Sequence, residues 1–232
     1  MSKRKKEEHT DGSVIENPEV LVSKTEEFFK DKKKRNFTVI IGSVLIFVVV
    51  ALFFYRGHIE SQNTEAQEEM FQAVYFYEAD SLSKALNGDG LNYGFLKIIG
   101  DYPGTDAANL ANFYAGSIYM NLGEYKSAVR HLKEFSSSDY LVQARAYSLI
   151  GDGYMEQGKY GEAASSYDQA VNYKPNESYT PVYLQKLAIA QENAGNYAEA
   201  AEAYGVIIED YFKSRLVQEA KKHKARLEGL AQ

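Results

Sequence analysis

Two hydrophobic patterns divide the chain into one continuous apolar run and a longer stretch that mixes apolar and polar residues. Residues 37–55 (FTVIIGSVLIFVVVALFFY) contain no charged side chain. Nineteen helical residues extend about 28 Å at ~1.5 Å each, close to the ~30 Å of a bilayer's hydrocarbon core. Because a chain in lipid must satisfy its own backbone hydrogen bonds, the run predicts a transmembrane helix over residues 36–56.

A cleavable signal peptide is the alternative explanation of this apolar run. Its length, the long segment before it and the YRGH that follows it favour an uncleaved anchor, since YRGH is not a small-residue cleavage site. Five basic residues lie within 30–35, whereas no Lys or Arg occurs between residues 57 and 83. The positive-inside rule therefore predicts that residues 1–35 form a charged cytoplasmic tail and residues 57–232 lie across the membrane, in the periplasm of a bacterium.

A repeated pattern of glycine, tyrosine and alanine occupies the rest of the chain. Gly-x-Tyr begins at Gly123, Gly158 and Gly195, and an alanine follows each of these glycines five residues later. Spacings of 35 and 37 residues are typical of stacked helix pairs. We expect the three glycines to end first helices with φ > 0, and we expect Gly151 and Ala163 to face each other across one helix pair.

This pattern resembles the tetratricopeptide repeat, whose unit of 34 residues forms two antiparallel helices. The resemblance implies an all-α fold, a solenoid of helical hairpins that follows the single transmembrane helix. Thr105 or Asp106, Ser138 or Asp139, and Pro181 are candidates for helix starts. The predicted units cover residues 65–102, 109–142, 144–177 and 181–214, and a capping helix covers residues 214–230.

Composition removes several functional classes. The chain contains no cysteine, so it has no disulfide and no thiolate metal site. Residues 56–232 carry 16 Lys and Arg against 24 Asp and Glu, and such an acidic surface is unsuited to nucleic acid. The four histidines are scattered, and no glycine-rich phosphate loop matches a known template. We therefore expect no enzyme activity, no cofactor, no metal ion and no nucleic-acid partner.

In proteins with this repeat, the first helices line a concave groove that binds other proteins. Apolar residues alternate with polar ones at the corresponding positions here, and methionine adapts to varied partners, so we expect unfolded or extended polypeptide as the ligand. Phe113, Met120 and Met155 are expected to be anchors that the core does not need. The predicted groove consists of Leu110, Phe113, Ser117, Met120, Asn121, Arg145, Ser148, Asp152, Met155, Glu156, Val182, Gln185, Ile189, Glu192 and Asn193.

The order of tail, anchor and repeats resembles the YfgM family, ancillary subunits of the bacterial SecYEG translocon. The sequence EEFFK at residues 26–30, the basic stretch and the anchor carry this resemblance. It implies a single-pass inner-membrane protein that acts as an adaptor or chaperone-like factor for exported polypeptides, beside translocon subunits and periplasmic chaperones. The alternatives are a scaffold for envelope assembly or cell division, and an accessory subunit of a membrane enzyme or transporter.

Overall fold

The computed structural model describes residues 32–231, and its regular structure within that range is entirely helical. This confirms the predicted all-α fold. Residues 1–31 of the predicted tail, which covers residues 1–35, lie outside the described residues. The helices are α1 (Lys32–Glu78), α2 (Leu82–Asn87), α3 (Phe95–Asp101), α4 (Asp106–Asn121), α5 (Tyr125–Glu134), α6 (Tyr140–Glu156), α7 (Tyr160–Asn172), α8 (Thr180–Asn193), α9 (Tyr197–Glu209) and α10 (Val217–Leu230).

The chain divides into two compact units, residues 1–58 and residues 59–232. The first unit contains the apolar run, which α1 carries as a continuous helix. An 18-residue window of this helix has a mean hydropathy of 3.0, and α1 is the one helix of residues 32–231 that is long and apolar enough to cross a membrane. The side chains of Phe47, Val49 and Phe53 are each at least 65% exposed, so this part of the helix presents an apolar surface.

Helix pairs make up most of the second unit. The hairpins α4/α5, α6/α7 and α8/α9 follow one another, each packs against the next, and α10 covers α9. Residues 59–78 of α1 also belong to this unit, where Ala66 and Ala73 are fully buried against the core that contains Phe95 and Ile98. The region predicted as the first repeat therefore holds one long helix followed by the short helices α2 and α3, separated by a tight loop.

The first helices end as their glycines predict. Gly123, Gly158 and Gly195 have φ values of 75°, 69° and 84°. At the first of them, the Gly123 amide donates to Met120 O at 3.1 Å and the next amide, of Glu124, donates to Tyr119 O at 2.9 Å. The same pair of hydrogen bonds recurs at the other two glycines. These are Schellman motifs, in which the left-handed residue satisfies the last carbonyl groups of the helix.

The second helices approach the first helices closely at small residues. A Cβ atom at Gly116 would lie 2.5 Å from Leu132 Cγ, and one at Gly151 would lie 2.5 Å from Tyr167 Cε1. The atoms nearest to Gly151 belong to the ring of Tyr167, four residues beyond Ala163 on α7, because the large side chain fills the space that the glycine leaves open. The contact of Gly151 with Ala163 stays a prediction.

Helix starts use side-chain caps where the sequence offers them. The Thr105 hydroxyl accepts the Ala108 amide at 3.1 Å, and the Asp139 carboxylate accepts the amides of the second and third residues of α6 at 2.8 and 3.0 Å. Pro181 lies in the first turn of α8. The three hairpins consequently begin one to four residues before the predicted units.

Candidate functional site

A cleft of about 680 Å³ opens along the first helices of the hairpins. The helices α4, α6 and α8 form its floor, and Tyr77 of α1 contributes to one side. Most of its lining is apolar or aromatic, with a small charged group at the centre. The lining residues are Tyr77, Phe113, Tyr114, Ser117, Leu141, Val142, Arg145, Ser148, Leu149, Asp152, Tyr179, Val182, Tyr183 and Lys186.

Core packing fixes the aromatic wall of the cleft. The ring of Tyr114 stacks on buried Phe95 at a centroid distance of 4.8 Å, and Tyr77 meets it edge-on at 5.1 Å. The ring of Phe113 lies 5.1 Å from buried Phe135. These contacts hold the wall in place before any ligand arrives, and preformed walls reduce the ordering entropy that binding requires.

An ion pair joins two repeats within the cleft. Lys186 Nζ on α8 lies 2.7 Å from both carboxylate oxygens of Asp152 on α6, and it also donates to the Ser148 hydroxyl at 3.2 Å. The Tyr167 hydroxyl on α7 donates to the same carboxylate at 2.6 Å. Burial, together with this hydrogen bond, raises the pKa of Tyr167 above its ordinary value. The lysine and aspartate charges neutralise each other. The ion pair links α6 to α8, and the tyrosine hydrogen bond links α7 to the same carboxylate.

Arg145 is the third charged residue of the cleft. Its side chain is exposed, and within residues 32–231 its guanidinium has no hydrogen bond or ion pair. It lies close enough to Tyr183 for its positive charge to oppose the rise in the Tyr183 pKa that burial causes. Because the neighbouring ion pair is neutral, the cleft carries one unbalanced positive charge.

A second cleft, of about 480 Å³, continues beyond the ion pair. It shares Leu149, Asp152 and Lys186 with the first cleft, so the ion pair stands at the boundary between them. Its remaining lining residues are mostly apolar or uncharged, with one acidic residue: Met120, Asn121, Tyr125, Met155, Glu156, Tyr167 and Ile189.

Comparison with known proteins agrees with the helical repeat fold. Residues 144–177 and residues 183–214 each match a model of the tetratricopeptide repeat family. The crystal structure of MamA protein superimposes with a TM-score of 0.52 at 16% sequence identity, covering 71% of this chain and 87% of MamA. The hairpins α4/α5, α6/α7 and α8/α9 thus have the fold of a tetratricopeptide-repeat (TPR) solenoid.

Curated relatives are much longer than this chain. Superkiller complex protein 3 of Homo sapiens is 25% identical over 160 residues, which is 68% of this chain and 10% of the human protein. The Mus musculus protein of the same name is 29% identical over 108 residues, 45% of this chain and 7% of the mouse protein. The chain thus spans about a tenth or less of the length of these relatives.

Most of the predicted groove residues line one of the two clefts. Phe113, Ser117, Arg145, Ser148, Asp152 and Val182 line the first, and Met120, Asn121, Asp152, Met155, Glu156 and Ile189 line the second. Whether these residues bind a partner remains a prediction.

Four predicted residues lie outside both clefts. Leu110 packs between two core clusters of the TPR domain, and Gln185 is half-buried on α8. The Asn193 amide donates to the Ile189 carbonyl at 2.7 Å. Arg226 of α10 holds the Glu192 carboxylate through two hydrogen bonds of 2.8 and 2.7 Å, which lower the pKa of Glu192.

The three proposed anchors have structural roles as well. Phe113 and Met120 pack against the buried cluster around Leu132 and Ile150, and Met155 packs against the cluster around Tyr167. The expectation that the core does not need these side chains is therefore wrong. In contrast, Leu141, Val182 and Ile189 line the clefts and belong to none of the core clusters of the described residues.

One register position of the repeat was missed by the sequence interpretation. Tyr114, Leu149 and Lys186 are spaced by 35 and 37 residues, like the Gly-x-Tyr motifs, and all three line the first cleft. The repeat spacing is the signal that identifies them. Tyr77 lies on α1, which carries no Gly-x-Tyr to set its register, so the sequence gives no comparable signal for it.

Within residues 32–231 no group of three or more potential ligand residues is placed to hold a metal ion. The one buried histidine of this range, His131, is engaged by its own hairpin: its Nδ1 lies 2.8 Å from Asn112 Oδ1. Burial, together with Arg130, lowers the pKa of His131. The Nδ1 proton therefore donates to the amide oxygen, and the imidazole has a structural role in the α4/α5 hairpin.

Proposed function

We propose that this chain is a non-enzymatic, membrane-tethered adaptor that binds extended polypeptide in the concave cleft of its TPR domain. The observation that carries the proposal is the cleft itself, which is open, preformed and lined by apolar and aromatic side chains from successive first helices. An extended chain can lay alternate side chains into such a surface.

The exported polypeptide is the proposed class of partner. The apolar stretch of α1 supports a membrane tether, and the basic residues before it support a periplasmic TPR domain. A tether raises the effective concentration of a binding domain for chains that emerge from the same membrane. Association with the Sec translocon and with periplasmic chaperones rests on the resemblance to the YfgM family.

Binding of a permanently unfolded exported protein to the full chain in mild detergent tests this function. Replacing Leu141, Val182 and Ile189 together with serine removes apolar surface from both clefts without opening a core cluster. We expect the dissociation constant to rise at least tenfold, about 1.4 kcal/mol, with an unchanged helical spectrum.

A matched control replaces three exposed apolar residues outside the clefts, Leu122, Phe212 and Leu230, with serine. This variant should bind like the parent chain. Equal binding by all three proteins would reject the cleft as the site.

Co-purification from the membrane separates the proposal from its alternatives. Translocon subunits recovered with the chain support the adaptor. Envelope-assembly or division proteins support a scaffold, and a stoichiometric enzyme or transporter supports an accessory subunit.

A further inference from the structure

We propose that copies of this chain associate head to tail, with the exposed face of α1 in one copy bound to the outward face of α10 in the next. Both faces belong to the second compact unit. The inference is independent of polypeptide binding in the clefts, because none of the contact residues lines either cleft.

Two aromatic side chains make the exposed face of α1 apolar. Phe71 and Tyr75 lie one helical turn apart, on the side of the helix away from buried Ala66 and Ala73, and they are 73% and 57% exposed. Neither belongs to a core cluster of the described residues. The end of a helical repeat array normally presents a polar outer face to water. This exception marks a surface that a partner covers.

Acidic residues surround the aromatic pair. Residues 59–80 contain six Asp and Glu and no Lys or Arg. Two of these acids, Glu68 and Glu78, are exposed, one three residues before the pair and the other three residues after it. Neither has a hydrogen bond or an ion pair among the described residues.

Two α1 faces do not complement each other. Glu68 and Glu78 of one copy would approach the same residues of the other copy, and like charges that meet across an interface oppose association. Lys84, the first lysine after this segment, lies 5.7 Å from the centre of the Phe76 ring and is not on the aromatic face. The partner surface must therefore be basic.

The segment of residues 213–230, which contains α10 and the turn before it, supplies a basic surface. It contains six Lys and Arg and two Glu, so basic residues remain in excess even with Glu209 and Asp210, which are exposed at the end of α9. Both glutamates of α10 have a partner on the same helix, at 3.7 Å from His223 and at 3.9 Å from Lys224.

Lys221 and Lys222 are the available cations of α10. Both are exposed, and neither has a hydrogen bond or an ion pair among the described residues. Ala225 and Gly229 lie on the same outward face as Lys222, and a Cβ added at Gly229 would meet nothing within 4 Å. Large side chains of a second copy can therefore approach this face closely.

The spacing of the two faces matches. The two aromatic residues of α1 lie four apart, as do Ala225 and Gly229, so each ring can lie over a small residue. Lys222 precedes the small pair by three residues, and Glu68 and Glu78 flank the aromatic pair by three. Whichever direction α1 takes across α10, one of these glutamates therefore meets Lys222.

Thiol crosslinking tests the contact in the full chain, in mild detergent and at low salt, where charge attraction is screened least. The chain has no cysteine, so Gln72→Cys in one tagged preparation and Ala225→Cys in a second place one thiol at each face. A short bismaleimide should yield a heterodimer of the two preparations. A chain with both cysteines should also yield longer species, because each head-to-tail contact leaves one face of each kind free.

Charge reversal in a double-mutant cycle tests the chemistry. The first preparation gains Glu68→Lys and Glu78→Lys, and the second gains Lys221→Glu and Lys222→Glu. Reversal of either face alone should lower the heterodimer yield about tenfold, because like charges then meet, and reversal of both faces should restore it. Association through any other surface is the same in all four pairs.

Two further variants of the first preparation test the aromatic pair and control for charge. Phe71→Ser with Tyr75→Ser should lower the heterodimer yield and leave the helical spectrum unchanged, because neither side chain belongs to a core cluster. Glu199→Lys with Glu202→Lys reverses exposed charges on α9 and should leave the yield unchanged.

Three results would overturn the inference. A heterodimer yield that no reversal changes would mean that the copies meet elsewhere. Homodimers of the Gln72→Cys chain as abundant as the heterodimer would mean that two α1 faces meet each other. Absence of the heterodimer would reject a second copy as the partner, and a Gln72→Cys adduct with a different protein in membranes would assign the face to that protein. In each case the proposed function stands.

Discussion

Replacing Gly151 with alanine places a methyl group where α7 leaves no space for it. The added Cβ would lie 2.5, 2.7 and 2.9 Å from three ring atoms of Tyr167. Ordinary contact begins at about 3.4 Å, so the ring must move by about 1 Å. The ring is 3% exposed, and its hydroxyl donates to Asp152 at 2.6 Å. Movement of the ring therefore strains the hydrogen bond that links α7 to the Asp152–Lys186 pair.

Three contributions set the magnitude of this effect. Overpacking costs about 1–3 kcal/mol, and loss of a hydrogen bond to a charged group costs about 1.5–3 kcal/mol. Alanine is the better helix former by about 1 kcal/mol, which offsets part of that loss. The free energy of unfolding of the Gly151→Ala chain should thus fall by about 1.5–5 kcal/mol, and its melting temperature should fall by about 3–20 °C.

The next repeat shows why the hydrogen bond matters. Ala188 stands at the position of Gly151 and belongs to the same buried cluster as Tyr204, and Ile189 stands at the position of Asp152. That repeat accommodates the methyl group where no carboxylate follows the small residue. In a Tyr167→Phe background, where the hydrogen bond is absent, Gly151→Ala should consequently cost less than it does in the parent chain.

Thermal melts followed by circular dichroism measure all four chains of this double-mutant cycle. Gly161→Ala in α7 is the control, since a Cβ there meets nothing within 4 Å. It should leave the melting temperature unchanged or raise it. If Gly151→Ala melts like Gly161→Ala, the close packing of α6 on α7 is refuted.

Three further predictions follow from the TPR domain. Two triple-serine variants should differ in melting temperature, one at Phe113, Met120 and Met155 and the other at Leu141, Val182 and Ile189. The first should melt at a much lower temperature, because only its residues pack on core clusters. Equal melting temperatures would contradict the packing. Burial keeps the folded-state pKa of His131 below the unfolded value of 6.5, so its contribution to the free energy of unfolding is full above that pH and decreases as the pH drops below it. Melts from pH 7.5 to 5.5 should show a falling melting temperature, and the fall should be smaller in His131→Gln. Gly158→Ala should cost about 1 kcal/mol from its φ of 69° alone, since a Cβ there meets nothing within 4 Å; an unchanged melting temperature would argue against the left-handed helix end.

Local chemistry made the helix ends predictable. A glycine after a helical pattern predicts a left-handed C-terminal residue, and Gly123, Gly158 and Gly195 adopt it. Thr105 and Asp139 offer oxygens at the helix starts for the same kind of reason, although the sequence left a neighbouring alternative open in each case. The helical period likewise placed most of the predicted groove residues on the helix faces that line the two clefts.

Contacts between distant residues were not predictable in the same way. Glu192 was assigned to the groove because its register matched, but Arg226, 34 residues further along, engages its carboxylate. The repeat spacing places Lys186 beside the cleft, but it does not predict the ion pair with Asp152, which lies 34 residues earlier on another helix pair. In both cases the outcome depends on how neighbouring helices are packed, which the pattern within one repeat does not contain.

Site-specific photo-crosslinking in cells during protein export tests the central claim, that the concave cleft binds extended polypeptide. A photoreactive residue is placed at Val182 or Ile189 in the clefts, and at exposed Lys126 or Glu202 on the second helices α5 and α9 as controls. Adducts with newly exported chains should form from the cleft positions and be absent from the controls. Adducts that form equally from α5 and α9, or from those positions alone, would contradict the account.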